Sequence, residues 1–348
     1  METTPGLVVV AEASRSVGLG HLMEALALRA AALRRGARVA LAVNADAPRG
    51  PVPGDVEAEW LPALDAGTLR RVADRAAAGG ARAAVVDLRR VTNEQVRALG
   101  EAGLAVVVID ELGGLHLDCH RVVNTSIVSA WHRYTSDRPG FQVLAGPGYL
   151  PLGERFGALA AGVRNHRGPV RRVAVSLGGA DPSGTTCRAL AALGGWREGT
   201  TAHLVIGPGF ADPEGLARRA EGAGGVIPHR GLTDLAPLLA EADVALNAGG
   251  NTLYECACLG TPAVVLYEAD HERRQGEAFA AAGFGRCLGS GREVTPAGLR
   301  EAIAGFDDPA VRARHAAAGR RLVDGKGADR ILDVVAAAVG ALGGVRAG

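Results

Sequence analysis

Three short runs hold residues whose types and spacing could do chemistry. The first is Gly18-Leu19-Gly20-His21, directly before an amphipathic stretch with helical spacing. The second is Gly178-Gly179-Ala180-Asp181. The third, Gly249-Gly250-Asn251-Thr252, follows the apolar run Val244–Leu246 and leads into a helix carrying Glu255. Each reads as a strand-to-helix turn. Glycine there lets a ligand approach the backbone, and the helix start offers unpaired N–H groups and positive dipole to phosphate. His21 is the odd member of the set, an imidazole at a helix start that suggests a task beside a ligand. The same dipole disfavours an imidazolium, so a neutral ring is expected.

Each run also has a plainer reading. A dinucleotide loop, G-x-G-x-x-G, would need glycine where Met23 stands, and the second strand ends Ala42-Val43-Asn44-Ala45-Asp46 without a well-placed acid. No P-loop pattern occurs. Thr252 to Glu255 fits a capping box, in which Glu255 satisfies the helix start; its carboxylate could instead accept from two ribose hydroxyls. Asp181 as N-cap with Pro182 behind it would start a helix with no ligand present. His21 itself could be a satisfied polar contact.

The elements that must position these runs alternate. "GLVVVAE", "ARVALAVN", "ARAAVVDL" and "LAVVVID" read as strands, separated by "GHLMEALALRAAALRRG", "GTLRRVADRAAAGG" and "TNEQVRALGEAG" as helices. From "SAWHRYTSDRPG" to "ERFGAL" the periodicity fades, and the stretch reads as loop and linker. Alternation restarts at "RRVAVSLGG" and runs through "DVALNAGG", "PAVVLYE" and "ERRQGEAFAAAG"; a long Ala-rich helix from about Pro309 closes the chain. The expectation is an α/β protein of two doubly wound domains, 1–150 and 169–310, with a linker at 151–168. Residues 311–348 form a helix and tail able to cross back, and the ligand cleft lies between the domains.

Composition narrows the function classes. The chain has 348 residues, enough for two cores, with 48% hydrophobic and 22% charged residues. A formal net charge of +1 gives no electrostatic reason to expect nucleic acid. The five cysteines are scattered, and Cys256 and Cys258, two apart on a helix, make a poor metal pair. They read as reduced core thiols of a cytoplasmic protein, and neither a signal peptide nor a run long enough to span a membrane is evident.

"VGLGHLMEALALRAAALRRGARV" resembles the GxGH loop and first helix of the PseG-like family of GT-B proteins. That family includes UDP-sugar hydrolases and spore-coat polysaccharide glycosyltransferases. The likeness continues in "VIDELGGLHLDCHRVVN", "LAGPGYLPLGERF", "VSLGGADPSG" and "NAGGNTLYECACLGTPAVVL", and more distantly extends to MurG. The resemblance implies a GT-B fold, two Rossmann-like domains facing a central cleft. It places the catalytic histidine at His21, the diphosphate loop at Gly249, Gly250, Asn251 and Thr252, the ribose carboxylate at Glu255, and the uracil against the backbone near Leu232. Gly18, Gly20, Gly178, Gly179 and Asp181 become phosphate or sugar loops.

Several positions depart from the family pattern. Its arginine three residues after the loop histidine is Glu24 here, and the basic and aspartate positions of its first strand are Val10 and Glu12. The hydrolases' Asp-His-Tyr run is Asp87-Leu88-Arg89, and the usual Asn-Gln is His271-Glu272. The nucleotide half is thus kept and the sugar half rewritten, with Glu12, Arg15, Arg89, His271 and Glu272 as candidate sugar or acceptor contacts. Arg15 and Arg273 could add positive charge, although each also reads as a solvated surface residue.

The leading expectation is an inverting glycosyltransferase moving a sugar from a nucleoside diphosphate, with UDP first, to a small-molecule or glycan acceptor. No Asp-x-Asp occurs, so neither a metal nor any cofactor beyond the nucleotide sugar is expected. A PseG-type UDP-sugar hydrolase is the first rival and a silent nucleotide-sugar binder the second. An epimerase using Asp270 and Glu272 is more distant.

Overall fold

The computed structural model describes residues 4–14, 17–47, 49, 52–162, 167–181, 183–207 and 209–345. The chain divides into two compact units, Met1–Glu154 with Gly325–Gly348, and Arg155–Asp324.

In the first unit the strands are β1 (Gly6–Ala11), β2 (Val39–Asn44), β3 (Glu59–Leu61), β4 (Ala81–Asp87), β5 (Ala105–Ile109), β6 (Leu115–His116), β7 (Arg121–Asn124), β8 (Tyr134–Thr135) and β9 (Gln142–Ala145). Seven of them form a parallel sheet in the order β3-β2-β1-β4-β5-β7-β9. Side chains alternate across a strand, so a sheet covered on both faces needs apolar residues at every position. The run "GLVVVA" meets that need: Leu7, Val9 and Ala11 enter one buried cluster while Val8 and Val10 enter the other. The helices are α1 (Gly20–Arg34), α2 (Ala66–Ala78) and α3 (Asn93–Glu101). α1 stops at Gly36, whose φ of 76° is left-handed and lets its N–H bond Leu33 O at 2.9 Å.

The second unit holds β10 (Arg172–Ser176), β11 (Thr201–Ile206), β12 (Val226–Arg230), β13 (Val244–Asn247), β14 (Ala263–Tyr267) and β15 (Arg286–Ser290). They make a parallel six-stranded sheet in the order β12-β11-β10-β13-β14-β15. The chain steps outward from β10 on one side, then returns to lay β13 on the other. Its helices are α4 (Glu154–Ala160), α5 (Thr185–Leu193), α6 (Pro213–Gly222), α7 (Ala236–Glu241), α8 (Asn251–Leu259), α9 (Asp270–Ala281), α10 (Pro296–Ala304) and α11 (Pro309–Leu322).

Three expectations change. The stretch read as loop contains β9, an edge strand largely exposed to solvent; with one neighbour it needs no continuous apolar run. The long terminal helix is two helices, α11 and α12 (Gly327–Val345), parted at Gly325, whose φ is 77°. α12 belongs to the first unit, where Ile331, Leu332, Val335 and Ala338 complete the cluster under β1 and α1. The second glycine loop does not start its helix at Pro182, which lies outside the described residues; α5 begins at Thr185 behind Gly184.

Candidate functional site

In a doubly wound sheet the loops part where the strand order reverses, which opens a crevice at the strand ends. In the first unit that place lies between β1 and β4, where Ala11 and Asp87 are register partners. The loop after β1 is closed by Gly18 N–H donating to Ser14 O at 2.9 Å; Gly18, at φ 90°, turns the chain into α1, which opens with Gly20 and His21. Arg15 lies outside the described residues.

His21 Nδ1 is 2.7 Å from Asp87 Oδ1, with the imidazole side chain 21% and the carboxylate 2% exposed. Burial pulls the imidazole pKa down, but the charge and hydrogen bond of Asp87, helped by Glu111 and Glu12, more than offset it and raise it to about 9. Burial raises Asp87 as well, against the pull of His21 and with the push of Asp110. The pair therefore keeps one proton to higher pH than a free imidazole. The expectation of a neutral His21 is corrected: a buried carboxylate in direct contact outweighs the helix dipole.

The acids beside it form a connected set. Asp110 Oδ2 accepts from the N–H groups of Leu112 and Gly113 and from Tyr134 Oη at 2.6 Å. Glu111 Oε1 accepts from Thr125 Oγ1 at 2.9 Å, and burial raises its pKa. Glu12 Oε2 accepts the Arg89 N–H at 3.3 Å. Glu24, the departure on α1, is buried, and its carboxylate with those of Asp87 and the His21 ring falls within 4.8 Å. That set could hold a cation, although Nδ1 already faces Asp87. Val10 is core.

In the second unit the reversal lies between β10 and β13, where Ser176 pairs with Asn247. The Gly178–Gly179 loop leaves one strand end and the Gly249–Gly250 loop the other. Gly249 has φ 95°, and a Cβ there would meet Glu272 O at 2.8 Å, so only glycine lets the start of α9 lie against this loop. The loop opens onto α8, whose N-cap is Gly250 and whose first turn has no side-chain cap. Those N–H groups and the dipole behind them favour an anion.

Glu255 is the fifth residue of α8, two positions past the third place that a capping box needs, so that reading is overturned. Its Oε2 is buried with no hydrogen-bond partner. Burial, and then the charge of Asp234, raises its pKa to about 7. Asp234 sits on the loop with Leu232, which is 40% exposed. The segment expected to meet the base thus lies within electrostatic reach of Glu255.

The remaining candidates are placed as follows. Asp181 caps α5, accepting from the Thr185 and Thr186 N–H groups at 2.8 and 2.7 Å, so its carboxylate is engaged by the helix. Gly179 O accepts the Gly209 N–H at 2.8 Å, and this loop packs backbone to backbone on the next. Glu272 Oε2 accepts from the N–H groups of Glu268 and Ala269 at 2.9 and 3.0 Å; it caps α9 and is not free to hold a sugar in this arrangement. His271 beside it is exposed. Arg273 is tied to Asp270 and Glu277 on the surface of α9. Arg89 is exposed at the end of β4.

No known protein-family profile matches the chain. It is 28% identical over 238 residues to the spore coat polysaccharide biosynthesis protein SpsG of Bacillus subtilis, covering 68% of this chain and 70% of that protein. It is 27% identical over 133 residues to the uncharacterized protein MJ1062 of Methanocaldococcus jannaschii, across 37% of this chain and 28% of that one. Among solved structures, MurG of Acinetobacter baumannii superposes with a TM-score of 0.65 at 14% identity, over 95% of this chain and 99% of its own. The spinosyn rhamnosyltransferase SpnG gives 0.60 at 18% identity, over 94% and 100%. The fold is GT-B. The resemblance to the spore-coat polysaccharide family, carried by the sequence motifs, meets its counterpart in SpsG. A UDP-N-acetylglucosamine 2-epimerase superposes with a TM-score of 0.59 at 13% identity, over 95% of each chain, so the fold alone does not select the reaction.

Within this GT-B chain, sequence reasoning missed Asp87, Glu111 and Glu268 as site residues. Asp87 carries a signal, since an acid ends an otherwise apolar strand. Glu268, just past β14, accepts from Ser183 and from Thr185 Oγ1 at 3.1 Å, joining the α9 start to the α5 start. No spacing in the sequence announces that contact.

Proposed function

We propose that the chain is an inverting, metal-independent glycosyltransferase that moves a sugar from a nucleoside diphosphate, with UDP the first to test, to an acceptor hydroxyl or amine. The observation that carries this reading is Glu255: a buried carboxylate oxygen without a partner, on a helix whose N-terminus is uncapped. An unpaired buried carboxylate is costly, and two ribose hydroxyls would relieve it while the diphosphate takes the N–H groups of the same helix. The names of SpsG and SpnG, and a structure of SpnG with thymidine diphosphate, agree in kind.

In the reaction, His21 in its neutral form takes the acceptor proton at Nε2 while Asp87 holds Nδ1–H and stabilises the imidazolium that forms. The acceptor oxygen or nitrogen bonds to the anomeric carbon from the face opposite the diphosphate, whose bond to that carbon breaks. The leaving charge goes to the N–H groups at the start of α8. Water in place of the acceptor would make the same pair a hydrolase.

Phosphorus and proton NMR of the protein with a panel of nucleotide sugars tests this. One donor that binds saturably and is turned over only when an acceptor is added supports transfer. Rapid release of free sugar without acceptor replaces transfer by hydrolysis, and no binding of any nucleotide sugar removes both.

A further inference from the structure

A cavity of about 430 Å³ opens in the first unit at the ends of β1 and β4, lined by Glu12, Leu64, Asp65, Arg89, Arg90 and Gln95 among others. Most of its polar groups are engaged. The Asp65 carboxylate caps α2, accepting from Thr68 N–H at 2.9 Å and Thr68 Oγ1 at 3.1 Å. Gln95 accepts the Thr92 N–H at 2.8 Å and donates to Leu64 O at 2.6 Å. One oxygen of Glu12 holds the Arg89 N–H.

The two guanidinium groups are different. Among the described residues, neither Arg89 nor Arg90 has a side-chain partner, whereas Arg70, Arg75 and Arg97 on α2 and α3 are each paired with an acid. The starts of α2 and α3 also border the cavity through Asp65 and Gln95, and both are capped by those side chains. The cavity therefore holds two guanidinium groups that no side chain of the described residues engages, beside two carboxylates that do have partners, Glu12 on the Arg89 N–H and Asp65 on Thr68. Arg89 follows Asp87 by two residues, so their Cα atoms are at most about 7 Å apart, a distance that a hexose with its substituents can bridge.

We infer that this cavity is an acceptor subsite that recognises a single oxyanion, a carboxylate or a phosphate monoester, on a hexose-sized acceptor through Arg89 and Arg90. The planar guanidinium fork suits both anions. Its assignment to the acceptor rests on the transferase reading; its anion selectivity does not.

The test is calorimetric titration of the full chain and of the double variant Arg89→Gln/Arg90→Gln with glucose 6-phosphate, glucuronate and glucose, and separately with UDP. Thermal melts confirm that the exposed substitutions leave the fold intact. The expected result is saturable millimolar binding of at least one charged probe, weakened by added salt and at least tenfold in the double variant. Glucose does not bind, and UDP affinity is the same in both proteins. The tighter of the two charged probes identifies the oxyanion. Equal binding of glucose, undiminished binding by the double variant, or no saturable binding of either charged probe overturns the subsite. Failure of UDP to bind the unaltered protein overturns the donor reading alone.

Discussion

The two units share a topology and use its reversal point in opposite ways. At the ends of β1, β4 and β5 the groups are titratable and mostly paired, His21 with Asp87, Asp110 with Tyr134 and Glu111 with Thr125, while the second oxygen of Asp87 is buried without a partner. Between β10 and β13 the same place holds glycine, an uncapped helix start and a carboxylate oxygen with no partner. The first arrangement fixes where a proton resides before any ligand arrives. The second holds one buried acceptor, Glu255 Oε2, without a partner behind a helix start that has no side-chain cap. The same reversal of strand order thus carries two different sets of polar groups, which the proposed reaction uses for proton transfer and for nucleotide binding.

The sharpest way to break that comparison is His21→Ala. It should lower kcat by about 10²–10⁴ while UDP affinity, measured by calorimetry, stays unchanged. Loss of UDP binding would end the division of labour between the units.

Asp87→Asn should cost up to about 10⁴-fold in kcat by releasing the ring tautomer. It also tests the pH dependence. A base with a pKa raised to about 9 is mostly protonated at neutral pH, so activity should rise with pH up to about 9 in the unaltered protein. In Asp87→Asn that rise should move down towards the ordinary imidazole value near 6.5. An unmoved profile would detach the pH limb from this pair.

Glu255→Gln should weaken UDP binding about tenfold or more, since a hydrogen bond to a charged group is worth about 1.5–3 kcal/mol. Its effect on stability has the opposite sign. A carboxyl whose folded pKa is raised from 4.5 to about 7 contributes stability below 4.5 that is lost as pH rises through 7. The variant should therefore melt above the parent at pH 8, with the gap closing by pH 4. A variant that melts lower at pH 8 and binds UDP normally would return Glu255 to a structural role.

The smallest effect concerns the set formed by His21, Glu24 and Asp87. Dialysis against a chelator should leave turnover within about twofold, because the hydrogen-bonded pair needs no ion to position it. Loss of activity restored by a divalent cation would convert that set into a metal site.

Much of this was legible in the sequence where burial is continuous. Val8 to Val10, Val85 to Val86 and Val106 to Val108 announce two-faced strands because both faces are covered. The edge strand β9 escaped for the same reason, since exposure removes the pattern that reports a strand. His21 and Glu255 stood out by residue type and position, but their states did not. The proton on His21 is decided by Asp87, 66 residues away, and the missing capping box by a helix that starts at Asn251. Glu272 reads identically as a sugar ligand or a cap, and only the N–H groups of Glu268 and Ala269 decide for the cap.

The return of α12 has a consequence for the order in which the protein is made. The second unit is one uninterrupted segment, while the cluster beneath β1 and α1 lacks Ile331, Leu332 and Val335 until the whole of that segment has been made. On a ribosome the segment translated later is therefore the first able to close its core. The residues of the first unit, His21 among them, must wait for α12 to emerge before their own sheet is covered on that face.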